Sequence, residues 1–433
     1  MKLIFRLGAA ALVVACWLSA GSTPFVDAVH GAVEPADFTR DYVTARARLE
    51  EGRSPPPAGE DGNQRAARYG APQVALLGAP YFIHPPTSTL AVLPLGRLPF
   101  RMAALLWAAA SVVALGWLAI SLLAIWRPGV PPAAGLVALL MLGLCAWPPT
   151  LHCLEKGQWS IWLAALSAAG FRAFEARRPR QTGALFGIAA TLKVTPILMV
   201  GFLLARNRRA AAAMLATVGG ALLASLAILG LGAWRQLFAG VSANTAAWVP
   251  WIANTASLDG VFARLLTDNP YAQPLVAAPA LARIAFEVTA LALLAKAIWA
   301  ARRLRDARGS DARLLAAWLA LPVLLNPLGW SHVLLLLLVP LVILARDGSP
   351  GARTTVWLLF SIFSIPRQRL AAWAGPVFPA SAPAGLLLGL HALAAVALFA
   401  ALLADVTGSA GYLGKYFDRW RSRAQVAPPL PGG

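Results

Sequence analysis

Residues 102–125 read MAALLWAAASVVALGWLAISLLAI, a stretch of 24 residues without a charge or a proline. A helix of about 20 apolar residues spans the hydrocarbon core of a bilayer, so this stretch is long enough to cross a membrane. The composition agrees, because 59% of the 433 residues are hydrophobic and 13% are charged, against roughly 45–50% and 25% in soluble domains. The sequence therefore predicts an all-α, polytopic transmembrane helix bundle.

Twelve apolar segments predict about 10–12 spans. They lie at 1–20, 87–99, 101–125, 131–149, 159–174, 183–205, 210–232, 278–300, 312–328, 330–345, 354–374 and 383–404. Segment 183–205 contains Lys193 and Pro196, and segment 87–99 contains Pro94, so we expect one or both to be broken or re-entrant. Irregular backbone at membrane depth is tolerated only where it lines protein or a wet cavity, which marks these breaks as places to look for function.

The basic residues lie in short clusters between apolar segments. Lys and Arg outnumber Asp and Glu by 37 to 18, giving a formal net charge of +19. In a soluble protein this charge would suggest nucleic-acid binding, but here it follows the positive-inside pattern and places the clusters in the cytoplasm. We therefore expect no nucleic-acid partner. The clusters lie at 172–180, 206–209, 302–308, 346–353 and 415–423.

The charge pattern also predicts the organisation of the chain. Residues 1–20 form a first transmembrane helix, with a cleavable signal peptide as the alternative. An acidic outer loop at 21–86 contains a surface helix at 36–51, and a second outer loop occupies 233–279. The remaining parts are the bundle segments 87–232 and 280–404 and a basic cytoplasmic tail at 405–433.

No cofactor or metal is expected. The chain has no P-loop, no dinucleotide-binding fingerprint and no His-Glu-x-x-His motif. Cys16, Cys145 and Cys153 lie in or beside apolar segments, without the spacing of metal ligands or of a disulfide framework.

Two carboxylates in the predicted surface helix are the candidate general bases. Asp37 and Asp41 are four residues apart in ADFTRDYVTARARL, so they share one face of a helix. At the mouth of a cavity, burial and the neighbouring charge would raise a carboxylate's pKa and suit it to general-base work. The alternative is that both are solvated and pair with Arg40 or Arg48.

Four further polar residues lie at the ends or breaks of apolar segments. Lys193 is a lone cation in GIAATLKVTPIL, which suggests either a phosphate site or snorkelling to an interface. His332 and His84 are predicted at outer ends of segments, where each either donates a hydrogen bond to a phosphate oxygen or is a structural residue. Gln158, in EKGQWSIW, is a helix cap, a cavity-lining donor or neither.

Taken in order, these motifs resemble glycosyltransferase family 87, the polyprenol-phosphate-mannose-dependent mannosyltransferases of the integral-membrane type C superfamily. The resemblance is carried by five stretches in the same order along most of the chain. They are ADFTRDYVTARARLEEG, YFIHPP, WPPTLHCLEKGQWSIWLAAL, GIAATLKVTPIL and LLNPLGWSHVLLLLLVP.

The resemblance implies a multi-pass enzyme of the cell membrane whose active site faces away from the cytoplasm. A polyprenyl-phosphate sugar donor, with mannose as the expected hexose, would glycosylate a glycolipid or glycan hydroxyl with inversion, in contact with membrane lipid and without a metal. The family's base corresponds to Asp37, and Lys193 and His332 would contact the donor phosphate, with Gln158 and His84 in the substrate cavity.

Two departures from the family pattern affect this assignment. Asp41-Tyr42 replaces a common Tyr-Tyr pair, so Asp41 is the alternative base. Arg53-Ser54-Pro55-Pro56 replaces the Pro-Tyr that often follows the helix, which leaves the acceptor open. A lipid-linked-sugar flippase or another transporter is the rival function, and it predicts that Asp37 is dispensable.

Overall fold

The structure is a computed structural model that describes residues 35–52, 62–72, 84–248, 256–269, 272–303, 310–327, 329–348, 350–377 and 382–406. The predicted first helix at 1–20, most of the predicted tail and part of the second outer loop lie outside these residues.

The described residues form nineteen α-helices and three 3-10 helices, with no strand among them. This confirms the all-α, polytopic fold class. The first ten helices are α1 (Ala36–Glu51), α2 (Gly62–Arg68), α3 (Pro86–Val92), α4 (Phe100–Trp126), α5 (Ala134–Ala146), α6 (Pro148–Lys156), α7 (Ser160–Glu175), α8 (Pro179–Leu192), α9 (Met199–Arg206) and α10 (Arg208–Leu229). The others are α11 (Leu231–Trp248), α12 (Leu258–Leu266), α13 (Pro279–Arg303), α14 (Ser310–Leu324), α15 (Leu338–Asp347), α16 (Pro350–Phe363), α17 (Arg367–Val377), α18 (Ala382–Leu388) and α19 (Leu390–Val406). The 3-10 helices cover Leu95–Arg97, Thr195–Leu198 and Ser331–Leu337.

Three helices among the described residues, α4, α10 and α13, are long and apolar enough to cross a membrane. The bent pair α5 and α6, which meet at 69°, would make a fourth crossing if the pair is one broken span. The other apolar segments form shorter or interrupted helices, so the count of 10–12 spans stays a prediction.

The segments 183–205 and 87–99 are both interrupted. Helix α8 ends at Leu192, Lys193 is extended with φ −149° and ψ 133°, and a 3-10 helix leads into α9. The segment 87–99 is divided in the same way into α3 and the 3-10 helix Leu95–Arg97. At this break the Lys193 side chain is partly buried, and its Nζ contacts Gln158.

Helix α1 has the predicted bounds and packs closely against the rest of the protein. Its residues from Phe38 to Ala45 are all buried, and the ring of Phe38 stacks on Trp107 of α4 at 5.2 Å. The helix packs against α3, α4 and α6. Phe38 and Tyr42 give it an apolar stripe one turn apart, so this stripe, together with the acids, faces protein.

Helix α8 and helix α10 are in close contact through two glycines. A Cβ on Gly183 would lie 2.1 Å from the carbonyl oxygen of Ala210, and one on Gly187 would lie 2.7 Å from Cβ of Thr217. Small residues four apart allow helix backbones to approach this closely in membranes. This packing fixes the end of α8 from which Lys193 emerges.

Helix α7 separates two polar regions. Glu175, at its C-terminal end, pairs with Arg346 at 2.8 Å, and Arg346 also donates to the carbonyl oxygen of Ile125 at 2.9 Å. Gln158 lies just before the opposite end. Since α7 has 16 residues, the two ends are about 24 Å apart at 1.5 Å per residue.

Candidate active site

Three polar side chains from different elements form a hydrogen-bonded chain. Gln158 Nε2 donates to Asp37 Oδ2 at 2.5 Å, and Lys193 Nζ donates to Gln158 Oε1 at 3.1 Å. The carboxamide therefore connects a carboxylate of α1 to the cation at the break after α8.

Gly157 positions Gln158 against the start of α1. Its φ of +65° is left-handed, and it ends α6. A Cβ at this position would lie 2.7 Å from Cβ of both Phe38 and Pro35. The Gly157 carbonyl accepts a hydrogen bond from Trp107 Nε1 at 3.1 Å. A glycine here allows α1 to approach closely enough for Asp37 to reach Gln158.

Asp41 has different partners. Its Oδ2 accepts a hydrogen bond from Trp159 Nε1 at 3.0 Å and lies 3.0 Å from His84 Nδ1. Asp41, His84 and Trp159 are all buried. An ionised carboxylate accepts but does not donate, so the arrangement places the Nδ1 proton of His84 toward Asp41. Asp41 thereby fixes the orientation of the His84 ring.

Arg40 lies between the two carboxylates in sequence and is buried. Burial holds the pKa of its guanidinium below the usual value, and the charges of Asp37 and Asp41 act in the opposite direction. The start of α1 therefore carries two carboxyl groups and a guanidinium in a largely buried region, where electrostatic interactions are strengthened.

Three histidines, His332, His152 and His84, lie near one another and His332 is within electrostatic range of Lys193. His332 is 1% exposed, and neither of its ring nitrogens has a hydrogen-bond partner in the described part of the chain. Its ring centroid is 5.3 Å from that of His152, and His152 Nδ1 is 2.7 Å from Ser331 Oγ. Lys193 and His84 are also within electrostatic range of His332, so these groups form one basic region.

The structure brings all six predicted residues together in one candidate site, and it adds Trp159 and His152. Asp37, Gln158 and Lys193 make the direct chain, while Asp41 and His84 form the adjacent pair. Trp159 and His152 belong to the stretch WPPTLHCLEKGQWSIW, already selected for Gln158. Both residues are close in sequence to Gln158, and this proximity to a selected polar residue was the signal that could have identified them.

Within the described ranges, no group of three or more His, Cys, Asp or Glu side chains is arranged to hold a metal ion. The site consists instead of an acidic part on α1 and a basic part built from Lys193 and the histidines. Such a pair of regions can accept a proton at one end and bind an anion at the other.

A family model described as glycosyltransferase family 87 matches residues 82–327, more than half of the chain. The chain belongs to glycosyltransferase family 87. This confirms the family and the prediction of a membrane glycosyltransferase, and it disfavours the transporter. The matched range includes His84, Gln158 and Lys193, whereas Asp37 and His332 lie outside it.

One relative in this family is a protein of Mycobacterium tuberculosis (strain CDC 1551 / Oshkosh). Its name is polyprenol-phosphate-mannose-dependent alpha-(1-2)-phosphatidylinositol pentamannoside mannosyltransferase. It is 29% identical over 324 residues, which cover 69% of this chain and 70% of the relative. No solved structure shows a significant match to this family member.

Proposed function

We propose that this glycosyltransferase moves a mannosyl group from a polyprenyl-phosphate donor to a hydroxyl of a glycolipid or glycan. The reaction takes place on the non-cytoplasmic face of the cell membrane, with inversion, and Asp37 is the general base. The name of the mycobacterial relative supports the donor and the acceptor class. The contacts of the two carboxylates on α1 support the choice of base.

The observation that carries this choice is the difference between Asp37 and Asp41. Asp41 is buried, and its Oδ2 is engaged by Trp159 and His84. Asp37 is half-buried, and among the described residues its side chain makes one hydrogen bond, from Gln158 to Oδ2. Its Oδ1 is therefore available to an acceptor hydroxyl, whereas Asp41 is already committed to orienting its neighbours.

The proposed step is a single displacement. The acceptor oxygen attacks the anomeric carbon of the donor as its proton passes to Asp37. The bond between that carbon and the phosphate oxygen breaks, and the electron pair leaves with polyprenyl phosphate. One carbon–oxygen bond forms as another breaks, which inverts the anomeric centre.

The leaving phosphate requires positive or donating groups, and the basic region supplies them. Lys193 carries an ammonium, His332 has two ring nitrogens without partners among the described residues, and Nε2 of His84 is likewise unpartnered. Groups fixed before the reaction stabilise the charge that develops on the leaving oxygen. Lys193 thus serves both the donor phosphate and the orientation of Gln158.

The positions of the charges support the non-cytoplasmic side. The site is at the N-terminal end of α7, and the Arg-rich stretch 172–180 begins at its C-terminal end. Because basic clusters favour the cytoplasm, an active site about 24 Å away along the helix axis belongs near the opposite face.

The test is transfer of radiolabelled mannose from polyprenyl-phosphate-mannose to a membrane lipid extract by the purified full chain. We expect Asp37→Asn to keep the fold and to lose about 10²–10⁴-fold in kcat, because the isosteric amide cannot accept the proton. Asp41→Asn is the matched control. It should lower thermal stability and reduce activity less, since it disturbs buried hydrogen bonds and leaves the base in place.

Full activity of Asp37→Asn would exclude this residue as the base. Failure of the wild-type protein to form product from any polyprenyl-phosphate sugar would overturn the proposed donor.

A further inference from the structure

We propose a binding site for an anionic phospholipid in the groove between α9 and α13, distinct from the active site. The groove is a cavity of about 440 Å³ lined by Gly201, Leu204, Ala205, Ile298 and Arg302. Pockets that hold small ligands have volumes of roughly 300–1,000 Å³. Four of the five lining residues are apolar or lack a side chain, and the fifth is a cation.

The spacing of the lining residues produces this arrangement. On α9, residues 201, 204 and 205 are three and four apart, and on α13 residues 298 and 302 are four apart, so each set lies on one helix face. At Gly201 a Cβ would lie 2.7 Å from the Trp318 ring. The glycine therefore allows α9 to pack closely against Trp318 of α14 at the floor of the groove.

The groove opens to the outside of the protein beside α13, which is long and apolar enough to cross a membrane. Leu204 is 52% exposed, and both helices end close by, α9 at Arg206 and α13 at Arg303. Gly201 is five residues, or about 7.5 Å, below the end of α9. An occupant would therefore reach from the charged boundary into the apolar layer, which fits an acyl chain below a headgroup.

Arg302 provides the contact for the headgroup phosphate. The next residue, Arg303, lies over the Trp299 ring at 5.8 Å, as does Lys296 at 4.3 Å. Arg302 is exposed beside the groove instead. Arg208 and Arg209 follow in the first turn of α10, which contains no acid. The excess of positive charge at this boundary favours an anionic over a zwitterionic lipid.

The test is native mass spectrometry of the purified full chain in detergent, with dioleoyl-phosphatidylglycerol or dioleoyl-phosphatidylcholine added at equal concentration. The wild-type protein should bind the anionic lipid about fivefold more tightly, as expected from about 1 kcal/mol per basic residue. Arg302→Gln should reduce this preference to less than about twofold. The control Arg303→Gln removes the same charge from the same helix turn and should retain the preference.

A second variant tests the groove itself. Ala205→Phe should fill the cavity and lower the binding of both lipids while leaving elution and thermal stability close to those of the wild type. Equal binding of the two lipids by the wild type, or equal effects of the two arginine substitutions, would overturn the proposal. Displacement of the lipid by millimolar inorganic phosphate alone would also overturn it, since the apolar groove would then contribute nothing. None of these measurements depends on transferase activity.

Discussion

Lys193 illustrates how a single residue connects the fold to the chemistry. Its Nζ donates to Gln158, and Gln158 donates to Asp37. Lys193 is partly buried, and removing an ammonium from water is costly unless it is paired or hydrogen-bonded, so the conformation of this side chain depends on the carboxamide. The same contact orients the carboxamide for the carboxylate.

We predict that Lys193→Met lowers kcat/KM for the polyprenyl-phosphate donor by about 10²-fold or more, since it removes an electrostatic contact and frees Gln158. The measurement is steady-state transfer at varied donor concentration. Lys296→Met is a matched control, because Lys296 lies over Trp299 on α13. Equal activity of the two variants would contradict a role for Lys193 at the donor.

Asp259, near the start of α12, should make the stability of the protein depend on pH. Burial raises the pKa of its carboxyl group to about 6, although the charge of Arg283 opposes the rise. Between pH 4 and 6 the folded state therefore binds more protons than the unfolded state, so the contribution of Asp259 to stability falls as the pH rises through this window.

We expect Asp259→Asn to raise the melting temperature at pH 7 and to flatten its decline between about pH 4 and 6. Intrinsic fluorescence melts across pH 4–8 measure this. The exposed Asp268 in the same region supplies the matched control Asp268→Asn, which removes a carboxylate that is not buried; an equal flattening in both variants would contradict a role for burial. Identical profiles for wild type and Asp259→Asn would show that Asp259 titrates alike in both states.

At the scale of elements, the active site depends on how α1 meets the turn after α6. Gly157 and Gly52 both have left-handed backbones, with φ of +65° and +67°. Only Gly157 is in contact with the start of α1, while a Cβ on Gly52 would meet nothing within 4 Å. Comparing the same substitution at the two glycines therefore distinguishes the effect of backbone strain from that of displacing α1.

Gly157→Ala should reduce kcat by about 10–100-fold, because the added Cβ pushes α1 away and lengthens the contact between Gln158 and Asp37; displacements near 1 Å can cost about 10². Gly52→Ala introduces a comparable strain of about 1–2 kcal/mol and should change kcat little. The transfer assay with both variants at matched expression tests this. A similar loss in both would attribute the effect to strain rather than to position.

At the scale of the whole molecule, Arg346 connects three helices at the end opposite the active site. It pairs with Glu175 of α7 and donates to the Ile125 carbonyl of α4, while itself lying on α15. Its side chain is 15% exposed and that of Glu175 is 31% exposed, so solvent screens the pair only in part.

We predict that Arg346→Gln destabilises the protein by about 1–2 kcal/mol and leaves kcat per folded molecule unchanged. Hydrogen bonds to charged groups contribute about 1.5–3 kcal/mol, and partial solvent screening lowers this value. Thermal melts and the transfer assay measure the two effects. Arg283→Gln, which breaks a pair whose side chains are 82% and 55% exposed, should have little effect on stability. A loss of kcat in Arg346→Gln at constant stability would mean that the two ends of α7 are coupled.

Apart from the family, which a resemblance of motifs indicated, the sequence by itself determined the fold class, the bounds of α1 and the break at Lys193. These follow from local properties: the length of apolar runs, the absence of Gly and Pro within 36–51, and an internal proline. It also selected Asp37, Asp41, Lys193, Gln158, His84 and His332, because polar residues at the ends of apolar segments stand out.

Only the tertiary structure distinguished the environments of Asp37 and Asp41 and joined Asp37 to Gln158, which are 121 residues apart in sequence. It also added Trp159 and His152, and it showed that α1 is buried against other helices from Phe38 to Ala45. Helical periodicity states which residues share a face, but not which neighbour that face meets. That choice comes from the packing of distant helices, and here from a glycine that lets two of them touch.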